Sequence, residues 1–193
     1  MRFISNPSSG KTGYYLANAA LSLGLNVIFL SGKSAYMPQG AEIIEVTSAL
    51  EMMEKFKENF KRADIIIGAA AVGDFTLQRR KGKIKREGQK NLLIELKPTE
   101  DIMAWAGKNK GKKMLVGYSA QSGKDLSETK RKMKSKNLDM IVFNDISKKD
   151  VGFGSDENEI IIIGKQGKAL YEGRQSKEKL AEIIMELIYR KEK

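Results

Sequence analysis

Residues 114–143 read MLVGYSAQSGKDLSETKRKMKSKNLDMIVF, and the order of elements in this stretch decides the fold. Two short apolar runs, Met114 to Gly117 and Met140 to Phe143, flank a polar segment that predicts a helix over Asp125 to Lys136. Strands joined through a helix return to the sheet in the same direction, so the unit is a parallel βαβ crossover. Working outward, apolar runs at Phe3 to Ile4, Asn26 to Leu30, Glu42 to Val46 and Asp64 to Ile67 alternate with predicted helices over Thr12 to Leu23, Ala49 to Phe60 and Asp101 to Lys108. A last helix, Lys177 to Tyr189, sets Leu180, Ile183, Ile184, Leu187 and Ile188 on one face.

The pattern predicts an α/β protein: a Rossmann-like, mostly parallel sheet flanked by helices, with ligands collecting at the carboxyl ends of the strands. Glu159 to Ile163 and Ala169 to Tyr171 read as a C-terminal antiparallel hairpin turning on Gln166 and Gly167. At about 150 residues per domain, 193 residues make one domain, residues 1–193. Thr76 to Lys90, TLQRRKGKIKREGQK, interrupts it with seven basic residues and one acidic, too polar for a core. It reads either as a solvated loop or as a basic flap that closes on a polyanion.

Composition narrows the chemistry. Lys plus Arg number 35 against 24 Asp plus Glu, a formal charge of +11, which favours anionic partners. With neither Cys nor His in the chain, disulfides, thiolate or histidine metal sites, cysteine nucleophiles and histidine bases are excluded. Catalysis falls to carboxylates, Lys, Arg, hydroxyls, amides, backbone N–H groups or a hard metal held through oxygen. No apolar run approaches the roughly 20 residues of a membrane span and no secretory signal opens the sequence, so the expected location is cytoplasmic.

Ser5 to Gly13, SNPSSGKTG, leads from a short strand into a predicted helix, an arrangement that binds anions. Gly10, Lys11 and Thr12 mimic the end of a Walker A loop, but its first glycine falls at Ser5 and that motif fails. The dinucleotide fingerprint fails too, with Ser8 at its first glycine. An ordinary strand-to-helix turn remains the alternative. Gly68 to Phe75, GAAAVGDF, permits close backbone approach around Ala70 and offers one carboxylate, Asp74, for a metal or a hydroxyl; close packing alone also explains its alanines. Lys130, Arg131, Lys132, Lys134 and Lys136 crowd one helix, either as a binding face or as a solvated one. Asn144 and Asp145 close a strand, where they read a ligand or cap a turn.

Taken in order, SNPSSGKTG, GAAAVGDF, KIKR, VGYSAQ, KSKNLDMIVFND and GFGSDENE resemble the phosphopantothenoylcysteine synthetase family, over nearly the whole chain from Arg2. Single pieces are weak and the ordered set is specific. The resemblance implies a homodimeric ligase that joins 4′-phosphopantothenate to L-cysteine using CTP and Mg²⁺ through an acyl-cytidylate. It implies that Asn6 handles the acyl-cytidylate, that Ser8, Ser9 and Gly10 line the nucleotide and phosphopantothenate site, and that Lys83 of the flap closes over the reacting phosphates. Ala70, Asp74, Thr99, Glu100, Asp101, Ile102, Tyr118, Lys132 and Lys136 fall on its nucleotide-binding positions, with Asp74 the one candidate metal ligand. Asn144 lies in a matching ND motif.

The departures are Tyr118 for a phenylalanine, Gln121 for a carboxylate and Thr99-Glu100 for Asn-Pro. The family's first strand and Gly-Gly-Thr-like loop have no counterpart before Arg2, so the sheet is expected to lack a central strand. No flavin is expected in this chain, and a separate flavin-dependent decarboxylase is the expected partner. The alternative is a nucleotide-binding module without turnover that needs a partner chain. Nucleic-acid binding is not expected, because the basic clusters lack interleaved aromatic residues.

Overall fold

The computed structural model describes residues 6, 8–77, 94–123, 125–147 and 156–191. In chain order the elements are α1 (Lys11–Ser22), β1 (Ile28–Ser31), β2 (Glu42–Glu45), α2 (Ala49–Asn59) with a 3-10 turn over Phe60–Arg62, β3 (Ile65–Gly68), β4 (Phe75–Leu77), β5 (Leu96–Pro98), α3 (Ile102–Asn109), β6 (Met114–Gln121), α4 (Ser127–Ser135), β7 (Met140–Asp145), β8 (Glu157–Gly164), β9 (Ala169–Ser176) and α5 (Lys177–Lys191). The run Phe3 to Ile4 lies outside the described residues.

The βαβ unit is present: β6 pairs with β7 in parallel, Val116 opposite Met140 through Gln121 opposite Asp145. β3 joins the other side of β6 in parallel, and the expected hairpin extends the sheet antiparallel, giving the order β3-β6-β7-β8-β9. β6 is four residues longer than its apolar run predicts and carries Ser119 and Gln121 into the sheet. Among the described residues the strands do not form one sheet. β1 and β2 make a separate parallel pair, and β4 and β5 a small antiparallel one. The latter corrects the reading of Thr76 and Leu77 as the start of a loop, since both are strand residues.

Alternation along β6 and β7 divides the interior into two cores. Val116, Met140 and Val142 face α1 and α5, packing with Leu16, Ala20, Ile160, Leu180, Ile184 and Ile188. Leu115 and Ile141 face the opposite way, among Phe60, Ile66, Ala106, Met133 and Leu138. Burial on both faces is what a parallel sheet needs and explains why these strands read as continuous apolar runs.

Asp139 ties the second layer to the sheet from the edge opposite the strands' carboxyl ends. Its Oδ2 accepts from the Leu115 N–H at 2.9 Å and from the ammonium of Lys110, which also donates to the Asn137 carbonyl at 3.2 Å. The two side chains are 18% and 10% exposed. Burial raises the Asp139 carboxyl, but Lys110, the Leu115 N–H and Lys165 outweigh it and hold it below its ordinary value. A depressed carboxyl stabilises the fold above the ordinary carboxylate range near pH 4, and that contribution is lost as pH falls through the lowered value. Asp139→Asn leaves Lys110 buried without its counter-charge and should cost about 3 kcal/mol in urea unfolding at pH 7, with the gap to wild type closing in acid.

Candidate functional site

The loop before α1 is built around Gly10, whose φ of +79° sits in the left-handed region at the helix N-cap. A Cβ there would lie 2.7 Å from Ser34 Oγ. That hydroxyl donates to the Ser9 carbonyl at 3.0 Å and accepts from the Tyr36 N–H at 3.0 Å, so the segment after β1 buttresses the loop. Ser8 and Ser9 are exposed at the mouth of α1. Nothing in the sequence singles out Ser34; its partner is Ser9, far away in the chain.

From this loop a string of contacts runs along the carboxyl edge of the strands. Asn6 Nδ2 donates to the Ala71 carbonyl at 3.1 Å, fastening the loop to the small-residue segment after β3. Further along that segment, Thr99 Oγ1 donates to the Gly73 carbonyl at 2.6 Å and the Thr99 N–H to the Asp74 carbonyl at 2.9 Å. The threonine that departs from the family pattern is therefore a staple between two candidate segments. Asp74 and Ala70 are exposed beside it.

Glu100 turns away to Lys57, with both oxygens within 3.0 Å of the ammonium. Asp101 caps α3 just before Ile102, Oδ1 accepting from the Ala104 N–H at 2.9 Å, while Oδ2 lies 2.7 Å from Lys136 Nζ. Burial raises the Asp101 carboxyl, and the Lys136 ammonium with the cap N–H groups more than reverses that. Lys132 is half-buried on α4.

On the other face of β6, Tyr118 lines a small recess with Thr12, Asn158 and Lys177 over Leu180 and Ile184. Burial pushes the Tyr118 phenol up. It also pushes the Lys177 ammonium down, assisted by Lys11 and opposed by Asp156. Lys11 Nζ pairs with Asp156 at 2.5 Å and stands 5.4 Å over the Tyr36 ring. Both halves of the Lys11–Asp156 pair lie in quoted motifs, SNPSSGKTG and GFGSDENE, but their pairing was not legible. The side-chain carbonyls of Asn144 and Asn158 are buried without a hydrogen-bond partner among the described residues.

At Gln121 the side-chain oxygen lies 3.5 Å from Thr129 Oγ1, so the amide that replaces the family's carboxylate packs against α4. Lys83 lies outside the described residues. Among those described, no three Asp, Glu, His or Cys side chains cluster to hold a metal ion.

A family model for the DNA/pantothenate metabolism flavoprotein C-terminal domain matches residues 1–191. The chain is 42% identical over 193 residues to a cysteine/cysteine sulfinic acid decarboxylase of an unknown prokaryotic organism, covering 97% of this chain and 54% of that protein. It is 40% identical over 169 residues to the coenzyme A biosynthesis bifunctional protein CoaBC of Bacillus subtilis (strain 168), covering 86% of this chain and 42% of that one. The chain spans about half the length of the curated relatives it matches. Among solved structures, the C-terminal domain of a coenzyme A biosynthesis bifunctional protein CoaBC superposes with a TM-score of 0.80 at 33% identity, covering 98% of this chain and 88% of that one.

Gly10→Ala combines left-handed strain with the Ser34 contact and should destabilise by about 1–3 kcal/mol, a fall in Tm of several degrees by calorimetry. Gly111, with φ +56° and nothing within 4 Å of an added methyl, is the control for strain alone. A larger loss at Gly10 than in Gly111→Ala is the expected result, and equal losses would show that the Ser34 buttress contributes nothing.

Proposed function

The chain belongs to the DNA/pantothenate metabolism flavoprotein C-terminal domain family, and we propose from that premise that it is a coenzyme A biosynthesis ligase joining 4′-phosphopantothenate to L-cysteine with CTP. The observation that carries the reading is the contact string from Ser9 and Asn6 through Ala71, Gly73 and Thr99 to Asp101 and Lys136, which gathers family-matched segments along one edge. The names of the Bacillus subtilis relative and of the solved CoaBC domain support it. The decarboxylase name belongs to a protein of which this chain covers 54%, and no decarboxylation is proposed here.

In this reading a carboxylate oxygen of phosphopantothenate attacks the α-phosphorus of CTP, and the bond to pyrophosphate breaks. The cysteine amine then attacks the acyl carbon, CMP leaves with the C–O electron pair, and the amine proton passes to solvent. Ser8, Ser9 and Gly10 bind phosphate at the N-terminus of α1, where backbone N–H groups point outward. Asn6 donates to the acyl oxygen as negative charge grows there, and Lys83 offsets charge on the reacting phosphates. Ala70, Asp74, Tyr118, Lys132, Lys136 and the segment Thr99 to Ile102 take the nucleotide. Exposed Asp74 is the side chain in this set that would help hold Mg²⁺ brought by the triphosphate, where the ion would offset phosphate charge. The same reading sets the chain in the cytoplasm, with a flavin-dependent decarboxylase consuming its product.

A homodimer is part of the proposal. Phe75 and Leu77 of β4 stand opposite Pro98 and Leu96 of β5, so all four share one face. Phe75 is 60% exposed and Leu96 45%, an apolar face that a second copy would cover. A second reading is a nucleotide-binding module that completes its site with a partner chain.

Pyrophosphate release by the purified chain with CTP, Mg²⁺, 4′-phosphopantothenate and cysteine, omitting each in turn, separates the two. Release that needs CTP and phosphopantothenate, with amide formed when cysteine is added, supports the ligase; CTP binding without release supports the module. Asn6→Asp replaces a donor by a charged acceptor and should lower amide formation about 100-fold or more while pyrophosphate release persists. Unchanged turnover would remove Asn6 from the mechanism. Phe75→Asp with Leu96→Asp should convert a dimer to monomer by sedimentation, and a monomeric wild-type protein would end the dimer proposal.

A further inference from the structure

Lys136 is secured to α3 at both ends, which is unusual for a lysine at a helix terminus. Its ammonium sits on Asp101 Oδ2 at 2.7 Å. At its other end its backbone lies so close to Gly107 that a Cβ on that glycine would be 2.0 Å from the Lys136 carbonyl oxygen. The next residue, Asn137, takes a φ of +49° and donates from Nδ2 to the Gly107 carbonyl at 3.1 Å, which closes α4 against α3. Between these fixed points the lysine stem runs from the level of Gly107 to the N-cap of α3.

Asp101 is itself fixed. Its Oδ1 accepts from the Ala104 N–H as the helix cap, so its two oxygens have separate tasks, one holding the helix and one holding the ammonium. The orientation of the carboxylate is therefore set by α3 rather than by the lysine. An ammonium has three donors and among the described residues one is used, so two remain for a ligand acceptor. Two residues before Asp101, Thr99 is stapled to the Gly73 and Asp74 carbonyls, which brings the fixed ammonium into the string of contacts described above.

We propose that Asp101 is a positioning residue that acts through Lys136: it fixes the ammonium at the N-terminus of α3 so that the nucleotide meets a lysine already ordered. This rests on the nucleotide reading given above and deepens it, since it leaves nucleotide contact in the segment Thr99 to Ile102 to groups other than the Asp101 carboxylate, whose two oxygens are engaged by the cap and by Lys136. A free lysine loses most of its rotamer freedom when it grips a ligand, and one that is ordered beforehand has already lost it.

The test is a double-mutant cycle on CTP affinity, measured by calorimetry with Mg²⁺ present, on the full chain. Asp101→Asn keeps a side-chain oxygen for the cap and removes the charge that holds Lys136. It should weaken CTP binding roughly 3- to 10-fold, the range expected for freeing one long side chain, with the unfolding midpoint near that of wild type. Lys136→Met should weaken binding at least as much, and adding Asp101→Asn to it should cost nothing further. A loss that persists undiminished in the Lys136→Met background would mean that Asp101 acts on the nucleotide or on the fold directly, and the proposal would be wrong. Unchanged or tighter binding by Asp101→Asn would overturn it as well. Wild-type protein that fails to bind CTP would overturn the nucleotide reading itself, an outcome distinct from both.

Discussion

β6 is buried from both sides, and the remaining architecture follows from keeping it so. Leu115 and Val116 point in opposite directions and neither is exposed, so each face of the strand needs its own layer. α1 and α5 supply one layer and the helices around Met133 and Ala106 the other. Because β3 and β7 flank it in parallel, the carboxyl ends of three strands emerge together at one edge. Loops leaving that edge must meet one another, and their meeting forms the candidate site.

Small residues set how closely those loops and layers approach. A Cβ on Gly117 would stand 2.6 Å from Leu138, and one on Gly68 would stand 2.5 Å from the sulfur of Met103. These glycines therefore let the α3 and α4 layer settle onto the sheet. The same closeness brings the cap of α3 within reach of a lysine on the neighbouring helix. Packing and chemistry are continuous here: Asp101 ends a helix and holds an ammonium with the same carboxylate.

The sequence disclosed the core of the fold because Met114 to Gly117 and Met140 to Phe143 have no polar interruption, and a doubly buried strand needs none. It under-read the end of β6, where Ser119 and Gln121 are polar yet remain in the ladder because Thr129 gives them partners across the layer. β4 and β5 escaped because their side chains are exposed, so burial imposes no alternation on them. Around the candidate site, the turn of small residues that runs into α1 was legible in SNPSSGKTG. Ser34, and the partnerships of Lys11 with Asp156 and of Asp101 with Lys136, were not, since each joins residues that only the folded chain brings together.

The sheet also implies an order of assembly during synthesis. β8 and β9 are joined by a short turn and pair as a hairpin, a local contact of the kind that forms in microseconds. β3 is different: its isoleucines pair with β6, which follows only after β4, β5 and α3. On a ribosome the amino-terminal half therefore emerges with an apolar strand whose partner has not yet been made. The nascent chain must keep Ile65, Ile66 and Ile67 from wrong neighbours until Met114 to Val116 arrive, an interval in which an unpaired apolar strand edge invites misassociation.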